Sequence, residues 1–300
     1  MARLGLGLAA LGRPGYMTVG HRADVANTEV DAMQAQAFSV LDAAHAAGLR
    51  HVDTARSYGQ AEAFLSKWLE ARGHQNVVVS SKWGYRYTAN WQSSAPVHEV
   101  KELSLSHLEQ QWPESKALLG KALRVYQIHS VTPESGVLDD LDVLRRLERL
   151  RKDERVEIGL TVTGPRQAEV IRKALAHKLF TWVQATWNVL ERSAEEALAS
   201  AHEHGVNVII KEGLANGRLT SRGDVPALVE LARKRNTTPD ALALGAALAQ
   251  PWAKVVLCGA ATVEQLQSNV KAAPLELPQL NALRASADDY WAQRGQLEWT

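Results

Sequence analysis

Residues 51–62 read HVDTARSYGQAE, where an apolar run ends and a helical pattern begins. GLRHV (48–52) is typical of a strand, and QAEAFLSKWLEARG (60–73) has the spacing of an amphipathic helix. Asp53 is therefore predicted at the C-terminal end of a strand, and Tyr58 in the loop that follows it. Catalytic residues gather at this end of parallel α/β sheets. The alternative is that Asp53 caps a turn and Tyr58 only contributes packing.

The same unit recurs along the chain, because eight short β-rich runs alternate with longer helical patterns. The runs are RLGLGLAA, LRHVDTA, NVVVSSKW, LRVYQIHS, RVEIGLTV, TWVQATWN, NVIIKEG and KVVLCGA. Eight strands alternating with helices over 300 residues predict a (β/α)8 TIM barrel that forms a single domain, residues 1–300. A doubly wound open sheet is the alternative. The C-terminal tail, about residues 274–300, is expected to fold over the barrel mouth.

The composition limits the classes of partner. The 34 basic and 33 acidic residues give a formal charge of +1, which disfavours a nucleic-acid or anionic-membrane partner. Cys258 is the one cysteine, so no intrachain disulfide forms and a reducing compartment is expected. MARLGLGLAALG lacks a small-x-small cleavage site and is interpreted as a first strand rather than a signal peptide. We expect a cytoplasmic monomer or small homo-oligomer that acts on a small molecule.

Polar residues follow three successive predicted strands and form a candidate acid–base device. They are Asp53, Lys82 in VVVSSKWG and His129 in VYQIHS, and Tyr58 overhangs them from a loop. A nearby ammonium lowers the pKa of a phenol, a carboxylate holds the ammonium, and a histidine can donate to a carbonyl oxygen. No side chain supplies a hydride, so a nicotinamide cofactor would have to lie across the barrel mouth. Taken singly, each residue is more simply a solvated or capping group.

Five segments give the chain its resemblance to a known family. HVDTARSYGQAE, SSKWG, YQIHS, VQATWN and VVLCGAATVEQLQSN stand in the order and spacing of the aldo-keto reductases, from about residue 4 to residue 273. The resemblance implies a (β/α)8 barrel that binds NADP(H) across its C-terminal face and interconverts carbonyl compounds and alcohols. It assigns the catalytic residues Asp53, Tyr58, Lys82 and His129. Tyr58 would be the general acid or base, tuned by the Lys82–Asp53 pair, and His129 would position the substrate oxygen.

The resemblance also implies contacts to the nicotinamide. Gln184 and Trp187, in VQATW, match positions that give an amide contact and a stacking ring, where the family usually has tyrosine at the second position. GLTVTGP replaces the usual Gly-x-Ser-Asn. Thr161 keeps the hydroxyl contact of that motif, whereas Val162 cannot replace the asparagine amide.

KEGLANGRLTSRG stands where the family wraps the pyrophosphate, and CGAATVEQLQSN stands at the adenosine end. The implied phosphate contacts are Gly213, Leu214, Asn216, Gly217 and Arg222. Lys211 and Glu212 depart from the pattern and are expected only to pair with each other. The implied adenosine contacts are Gly259, Ala260, Ala261 and Thr262 for the 2′-phosphate, and Gln265 and Asn269 for adenine. NADPH is the expected cofactor and NADH the alternative.

The remaining predictions concern substrate, metal and function. Trp83, Tyr85 and Trp91, in the aromatic loop after the third strand, predict an apolar, aromatic or sugar-like carbonyl substrate. The alternative is that these rings only pack. HEHG (202–205) is not expected to bind metal, because its histidines point roughly 200° apart on a helix. Other functions left open are a cofactor-sensing subunit, like potassium-channel β subunits, an NAD-preferring sugar or alcohol dehydrogenase, and an aldolase that uses Lys82 as a Schiff base.

Overall fold

The computed structural model describes residues 1–300, and eight parallel strands close into a barrel. The strands are β1 Arg3–Gly7, β2 His51–Asp53, β3 Val78–Trp83, β4 Tyr85–Tyr87, β5 Glu99–Lys101, β6 Leu123–Val131, β7 Glu157–Val162, β8 Trp182–Thr186, β9 Asn207–Lys211 and β10 Val255–Cys258. The barrel order is β1-β10-β9-β8-β7-β6-β3-β2, and β1 pairs with both β10 and β2. This closure confirms the single-domain (β/α)8 prediction and excludes the open sheet.

Helices connect the strands and surround them. They are α1 His21–Asp24, α2 Val30–Ala46, α3 Ala61–Arg72, α4 Leu105–Leu119, α5 Leu141–Asp153, α6 Gln167–Leu175, α7 Glu195–Glu203, α8 Pro226–Lys234, α9 Pro239–Leu248, α10 Val263–Asn269 and α11 Ala287–Gly295. Five of them begin at a side-chain cap, in which a Ser, Asp or Thr oxygen accepts a first-turn N–H. No helix combines the length and the apolar character that crossing a membrane requires.

Two apolar layers hold this architecture together. Between sheet and helices, α5 buries Val143, Leu144, Leu147 and Leu150, and the intervals of three to four residues that separate the first two from Leu147, and Leu147 from Leu150, place them on one face. Inside the barrel, the separate cluster of Val125, Trp182, Ile209, Val255 and Leu257 fills the interior. Successive side chains alternate along a strand, so Gln127 and His129 lie on the same side of β6 as Val125. The polar residues at the mouth therefore lie above the apolar side chains of the barrel interior.

Two segments outside the barrel reach its mouth. The antiparallel hairpin β4–β5 pairs Tyr87 with Glu99 and carries Tyr85 beside His129, with the ring centroids 4.9 Å apart. The C-terminal segment continues past α11, and Trp299 stacks on His98 at 4.1 Å between ring centroids. These contacts bring the last residues of the chain against the hairpin.

Candidate active site

Asp53 is the hub of a polar network at the C-terminal end of the barrel. Its side chain is buried, and its Oδ2 accepts a hydrogen bond from Lys82 Nζ. Its Oδ1 accepts from Ser80 Oγ at 2.6 Å and from Gln184 Nε2 at 2.9 Å. Lys82 also donates to the Thr54 carbonyl at 2.9 Å. A buried ion pair is tolerated when hydrogen bonds satisfy both charges in this way.

Tyr58 lies directly above this pair. Lys82 Nζ is 4.8 Å from the centroid of the Tyr58 ring, and the His129 ring meets it edge-on at 5.6 Å. Tyr58, His129 and Asp53 line one cavity, whereas Lys82 is 1% exposed and lies beneath them. The structure therefore brings together all four residues that the sequence singled out.

The phenol and the imidazole are both uncharged at neutral pH. Burial, followed by the charge of Asp53, raises the pKa of Tyr58 well above its usual value near 10. Burial, followed by the charges of Lys82 and Lys211, lowers the pKa of His129 well below 6.5. The shift for Tyr58 is opposite to the one predicted from Lys82 alone, because Asp53 neutralises that ammonium and burial dominates. Both side chains can therefore donate a hydrogen bond, Tyr58 through its hydroxyl group and His129 through the ring nitrogen that carries the proton.

Arg13 belongs to the same group of residues but was not singled out from the sequence. It is 2% exposed, and its Cζ lies 5.1 Å from the centroid of the Tyr58 ring. It donates to Glu99 Oε2 at 2.8 Å and to the Ser57 carbonyl at 3.2 Å, and its Cζ is 4.7 Å from the Trp299 ring. Its guanidinium therefore lies over the Tyr58 ring.

A cavity of about 770 Å³ extends from these residues to α10, a volume typical of small-molecule sites. It is lined by every predicted cofactor residue except Trp187. These are Thr161, Gln184, Gly213, Leu214, Asn216, Gly217, Arg222, Gly259, Ala260, Ala261, Thr262, Gln265 and Asn269. The cavity therefore connects Tyr58 and His129 with the glycine-containing loop after β9.

Two residues that line the cavity have unpaired acceptor oxygens, which a bound nucleotide could satisfy. Asn216 Oδ1 and Asn269 Oδ1 are buried and have no hydrogen-bond partner, although both residues line the cavity. Such groups are normally satisfied, so a ligand with N–H or O–H donors would complete them. Gly259 leaves open space where a Cβ would stand, which lets a ligand approach the backbone closely. The residues present therefore fit an extended ligand that carries several donors.

The far end of the cavity carries an acidic side chain, Asp24, that was not singled out from the sequence. Asp24 accepts two hydrogen bonds from Arg222, at 2.9 and 2.7 Å, and one from Gln265 Nε2 at 2.7 Å. The Ala261 N–H, which was expected to be free for a phosphate, donates to Gln265 Oε1 at 2.8 Å. The Gln265 N–H likewise donates to Thr262 Oγ1 at 3.2 Å. Two of the groups expected for a 2′-phosphate, the Ala261 N–H and the Thr262 hydroxyl oxygen, are thus already paired within the chain.

Trp187 lies away from the cavity, contrary to its predicted stacking role. Its ring is buried between barrel and helices, where Nε1 donates to Glu195 Oε2 at 3.0 Å and the ring packs edge-on against Trp252. The physical reason is that Trp187 follows β8 on the side that faces α7. The amide of Gln184, three residues earlier, remains at the mouth.

Of the three predicted substrate residues, Tyr85 alone lines the cavity. Trp83 is fully buried and alternates with Lys82 along β3, so its ring points into the helix layer. Trp91 packs against Phe64, and its Nε1 donates to a backbone carbonyl at 2.6 Å. These two tryptophans have packing roles, which was the alternative considered from the sequence.

Lys211 and Glu212 form more than the isolated pair expected from the sequence. Glu212 accepts from Arg294 of α11 through both carboxylate oxygens, including Nε at 3.0 and 3.1 Å. Lys211 Nζ lies farther from Glu212, at 3.8 Å, and donates to Thr186 Oγ1 at 3.0 Å. The main partner of Glu212 is therefore Arg294, which lies 82 residues away in the sequence.

A closed barrel with these groups at its mouth defines an enzyme-like α/β barrel, and comparison with known proteins identifies its family. The model of the aldo/keto reductase family matches residues 3–287. The chain therefore belongs to the aldo/keto reductase family, whose members are generally NAD(P)H-dependent oxidoreductases acting on small carbonyl compounds.

Individual relatives are distant but cover most of the chain. Aldo-keto reductase str7 of Strobilurus tenacellus is 25% identical, over 95% of this chain and 87% of that protein. Protein tas of Escherichia coli (strain K12) is 25% identical, over 88% and 89%.

Solved structures share the fold. The holo form of aldo-keto reductase AKR11C1 from Bacillus halodurans has a TM-score of 0.73 at 22% identity, covering 95% of this chain and 92% of that one. Glycerol dehydrogenase AKR11B4 from Gluconobacter oxydans has a TM-score of 0.69 at 21% identity, covering 97% and 91%.

Proposed function

We propose that this protein is an NAD(P)(H)-dependent oxidoreductase that interconverts an aldehyde or ketone and its alcohol, with Tyr58 as the general acid and base. The observation that carries the proposal is the position of two neutral donors, Tyr58 and His129, on one cavity directly above the buried Asp53–Lys82 pair. A carbonyl oxygen at this point would accept hydrogen bonds from both.

The bound nicotinamide would supply or accept the hydride. Tyr58 donates its proton to the substrate oxygen in reduction and takes it back in oxidation. His129 orients the same oxygen. As the phenolate forms, the charge of Arg13 beside the ring stabilises it, whereas Lys82 below the ring is already paired with Asp53. Burial keeps the proton on Tyr58 until substrate is bound.

The nucleotide would be held along the cavity. Thr161 and Gln184 are proposed to bind the nicotinamide carboxamide, and the predicted glycine-containing loop, Gly213–Gly217, the pyrophosphate. Asn269 has the free acceptor that an adenine amino group requires. These assignments follow the family resemblance and are supported by the position of each residue on the cavity.

The charges at the far end favour NADH over the NADPH expected from the sequence. Arg222 is the one Lys or Arg lining that end, and Asp24 already neutralises it, while Asp240 and Glu264 line the same region. A 2′-phosphate would have to displace Asp24 from Arg222 and would meet uncompensated carboxylates. A ribose 2′-hydroxyl would instead find carboxylate acceptors there.

Aromatic side chains define the proposed substrate end. Tyr16, Tyr85 and Trp299 line the cavity around Tyr58. Such walls suit an apolar, aromatic or sugar-like carbonyl compound, because rings bind apolar faces and C–H edges by stacking. The aldolase alternative gains no support, since Lys82 is buried under Tyr58 and paired with Asp53.

The test is carbonyl-dependent oxidation of NADH or NADPH across a panel of aldehydes and ketones, comparing the wild type with Tyr58→Phe. The variant is expected to lose about 10²–10⁴-fold in kcat/KM, the usual contribution of a positioned general acid. Tyr126→Phe is the matched control, because Tyr126 is buried away from the cavity and its loss of a hydroxyl should leave kcat/KM unchanged. Nucleotide binding without turnover of any compound would favour the sensor alternative.

A further inference from the structure

Lys211 is a largely buried cation that shares its one neighbouring carboxylate with a second cation. Its side chain is 16% exposed, and the nearest carboxylate, Glu212, is bound more closely by Arg294. Lys211 Nζ uses one hydrogen-bond donor, toward Thr186 Oγ1. Two cations thus share one carboxylate, and Lys211 is the more weakly paired of the two.

Lys211 places its charge in the part of the cavity where the nicotinamide is proposed to lie. Lys211 pairs in register with Thr186 on the neighbouring strand, two residues beyond Gln184, and it lines the cavity. It lines this cavity together with Tyr58 and His129, its charge acts on His129, and it precedes the loop that begins at Gly213 by two residues. A nicotinamide that reacts with a carbonyl at Tyr58 while its phosphates reach that loop must occupy the stretch that Lys211 faces.

We propose that Lys211 discriminates between the redox states of the bound nucleotide, so that the protein binds the reduced form more tightly than the oxidised form. The inference rests on the proposed function. Reduced nicotinamide is neutral, whereas oxidised nicotinamide carries a positive charge that the Lys211 ammonium repels. The oxidised product of a carbonyl reduction would consequently leave the site readily.

The charge of Lys211 changes in an accessible pH range. Burial lowers the pKa of Lys211 to about 8, against the charge of Glu212, with Arg294 and Lys82 adding to the decrease and Asp53 opposing it. The pKa of Glu212 is lowered to about 2 and that of Arg294 is raised. The pKa of His129 is lowered well below 6.5 and that of Tyr58 raised well above 10. Of these groups, Lys211 is thus the one that loses its charge between about pH 7 and pH 9.

The experiment measures Kd for NADH, NAD⁺, NADPH and NADP⁺ by tryptophan fluorescence at about pH 7. For Lys211→Met, the ratio of oxidised to reduced Kd should fall by about three-fold to a hundred-fold. This range corresponds to two unit charges roughly 6 Å apart at effective dielectric constants of about 80 to 20. The phosphates are common to both redox forms, so their contribution cancels in the ratio.

Two control variants test whether the effect depends on a positive charge at residue 211 rather than on any positive charge in the cavity. Lys211→Arg keeps the cation and should keep the ratio. Arg222→Met removes a cation at the other end and should change both Kd values alike. At about pH 9 the wild-type ratio should approach that of Lys211→Met, and the ratio of the variant should stay constant.

An unchanged ratio in Lys211→Met, with nucleotides still bound, would overturn the inference and leave the proposed function intact. Failure of the wild type to bind any of the four nucleotides would contradict both. If Lys211→Met does not fold, the pH dependence of the wild-type ratio decides, since a ratio that stays flat from about pH 7 to pH 9 would equally overturn the inference.

Discussion

Replacing Asp53 with asparagine should destabilise the protein strongly, because it leaves Lys82 as a buried charge without a partner. The two side chains are 4% and 1% exposed and are hydrogen-bonded to each other. Breaking a buried pair by neutralising one member costs about 3–5 kcal/mol. Asn has nearly the shape of Asp, so the hydrogen bonds from Ser80 and Gln184 to the retained oxygen need not change. The cost therefore reports the uncompensated ammonium.

Urea unfolding followed by circular dichroism measures this effect. With a slope of about 3 kcal/mol per molar urea, the midpoint of Asp53→Asn should fall by roughly 1–1.7 M. Asp139→Asn is the matched control, since Asp139 pairs with Lys173 on the surface, and such pairs contribute about 0–1 kcal/mol.

A double variant refines the test. Asp53→Asn combined with Lys82→Met removes both charges and should be more stable than Asp53→Asn alone. A free energy of unfolding for Asp53→Asn within about 0.5 kcal/mol of the wild type, a difference typical of surface substitutions, would show that Lys82 does not depend on this partner. Strict additivity of the two single effects would show the same, because coupled charges cannot be independent.

Two further predictions concern the charged groups around the cavity. Burial raises the pKa of Glu212, but Arg294 and Lys211 outweigh it and lower the value from 4.5 to about 2. The resulting stability, about 3 kcal/mol, is present above pH 4.5 and is lost as the pH falls toward 2, because the unfolded chain binds the proton first. Glu212→Gln should abolish this part of the acid-induced loss when urea midpoints at about pH 6 and pH 3 are compared, and an equal loss in both proteins would be evidence against it. Asp24→Asn should tighten NADPH relative to NADH by about ten-fold, since it removes repulsion of the 2′-phosphate, and fluorescence titrations that give the wild-type ratio would disprove this assignment.

The fold could be predicted from the sequence because each barrel strand is a short apolar run between amphipathic helices. All eight predicted runs contain a strand, although β1 ends at Gly7 and β2 covers three residues. The hairpin β4–β5 was not predicted. Its two strands have three residues each, are partly or fully exposed, and are separated by the loop 88–98, so they show no apolar periodicity.

The site residues that could be predicted from the sequence are those that lie at the ends of barrel strands. Asp53 and Lys82 lie at ends of neighbouring strands, so the topology alone brings them together. Arg13, Asp24 and Arg294 could not be found in this way, because their partners are distant in the sequence. Asp24, for example, meets a partner 198 residues away. No local pattern encodes such a contact, and only the closed fold creates it.

Aromatic residues were the least predictable part of the site. Trp187 and Trp83 stand next to Thr186 and Lys82, which face the barrel interior or its mouth, yet both rings point outward. A difference of one position along a strand decides the face. The size of a ring gives no information about that position, since it packs well on either face.

The most direct test of the central claim is to titrate the purified protein with NADH and NADPH while following tryptophan fluorescence, and then to add an aldehyde or ketone. Nine tryptophans give a strong signal, and Tyr58→Phe serves as the comparison. We expect saturable binding in both proteins and carbonyl-dependent loss of the reduced nucleotide in the wild type alone. Absence of binding by either nucleotide, or equal turnover by Tyr58→Phe, would contradict it.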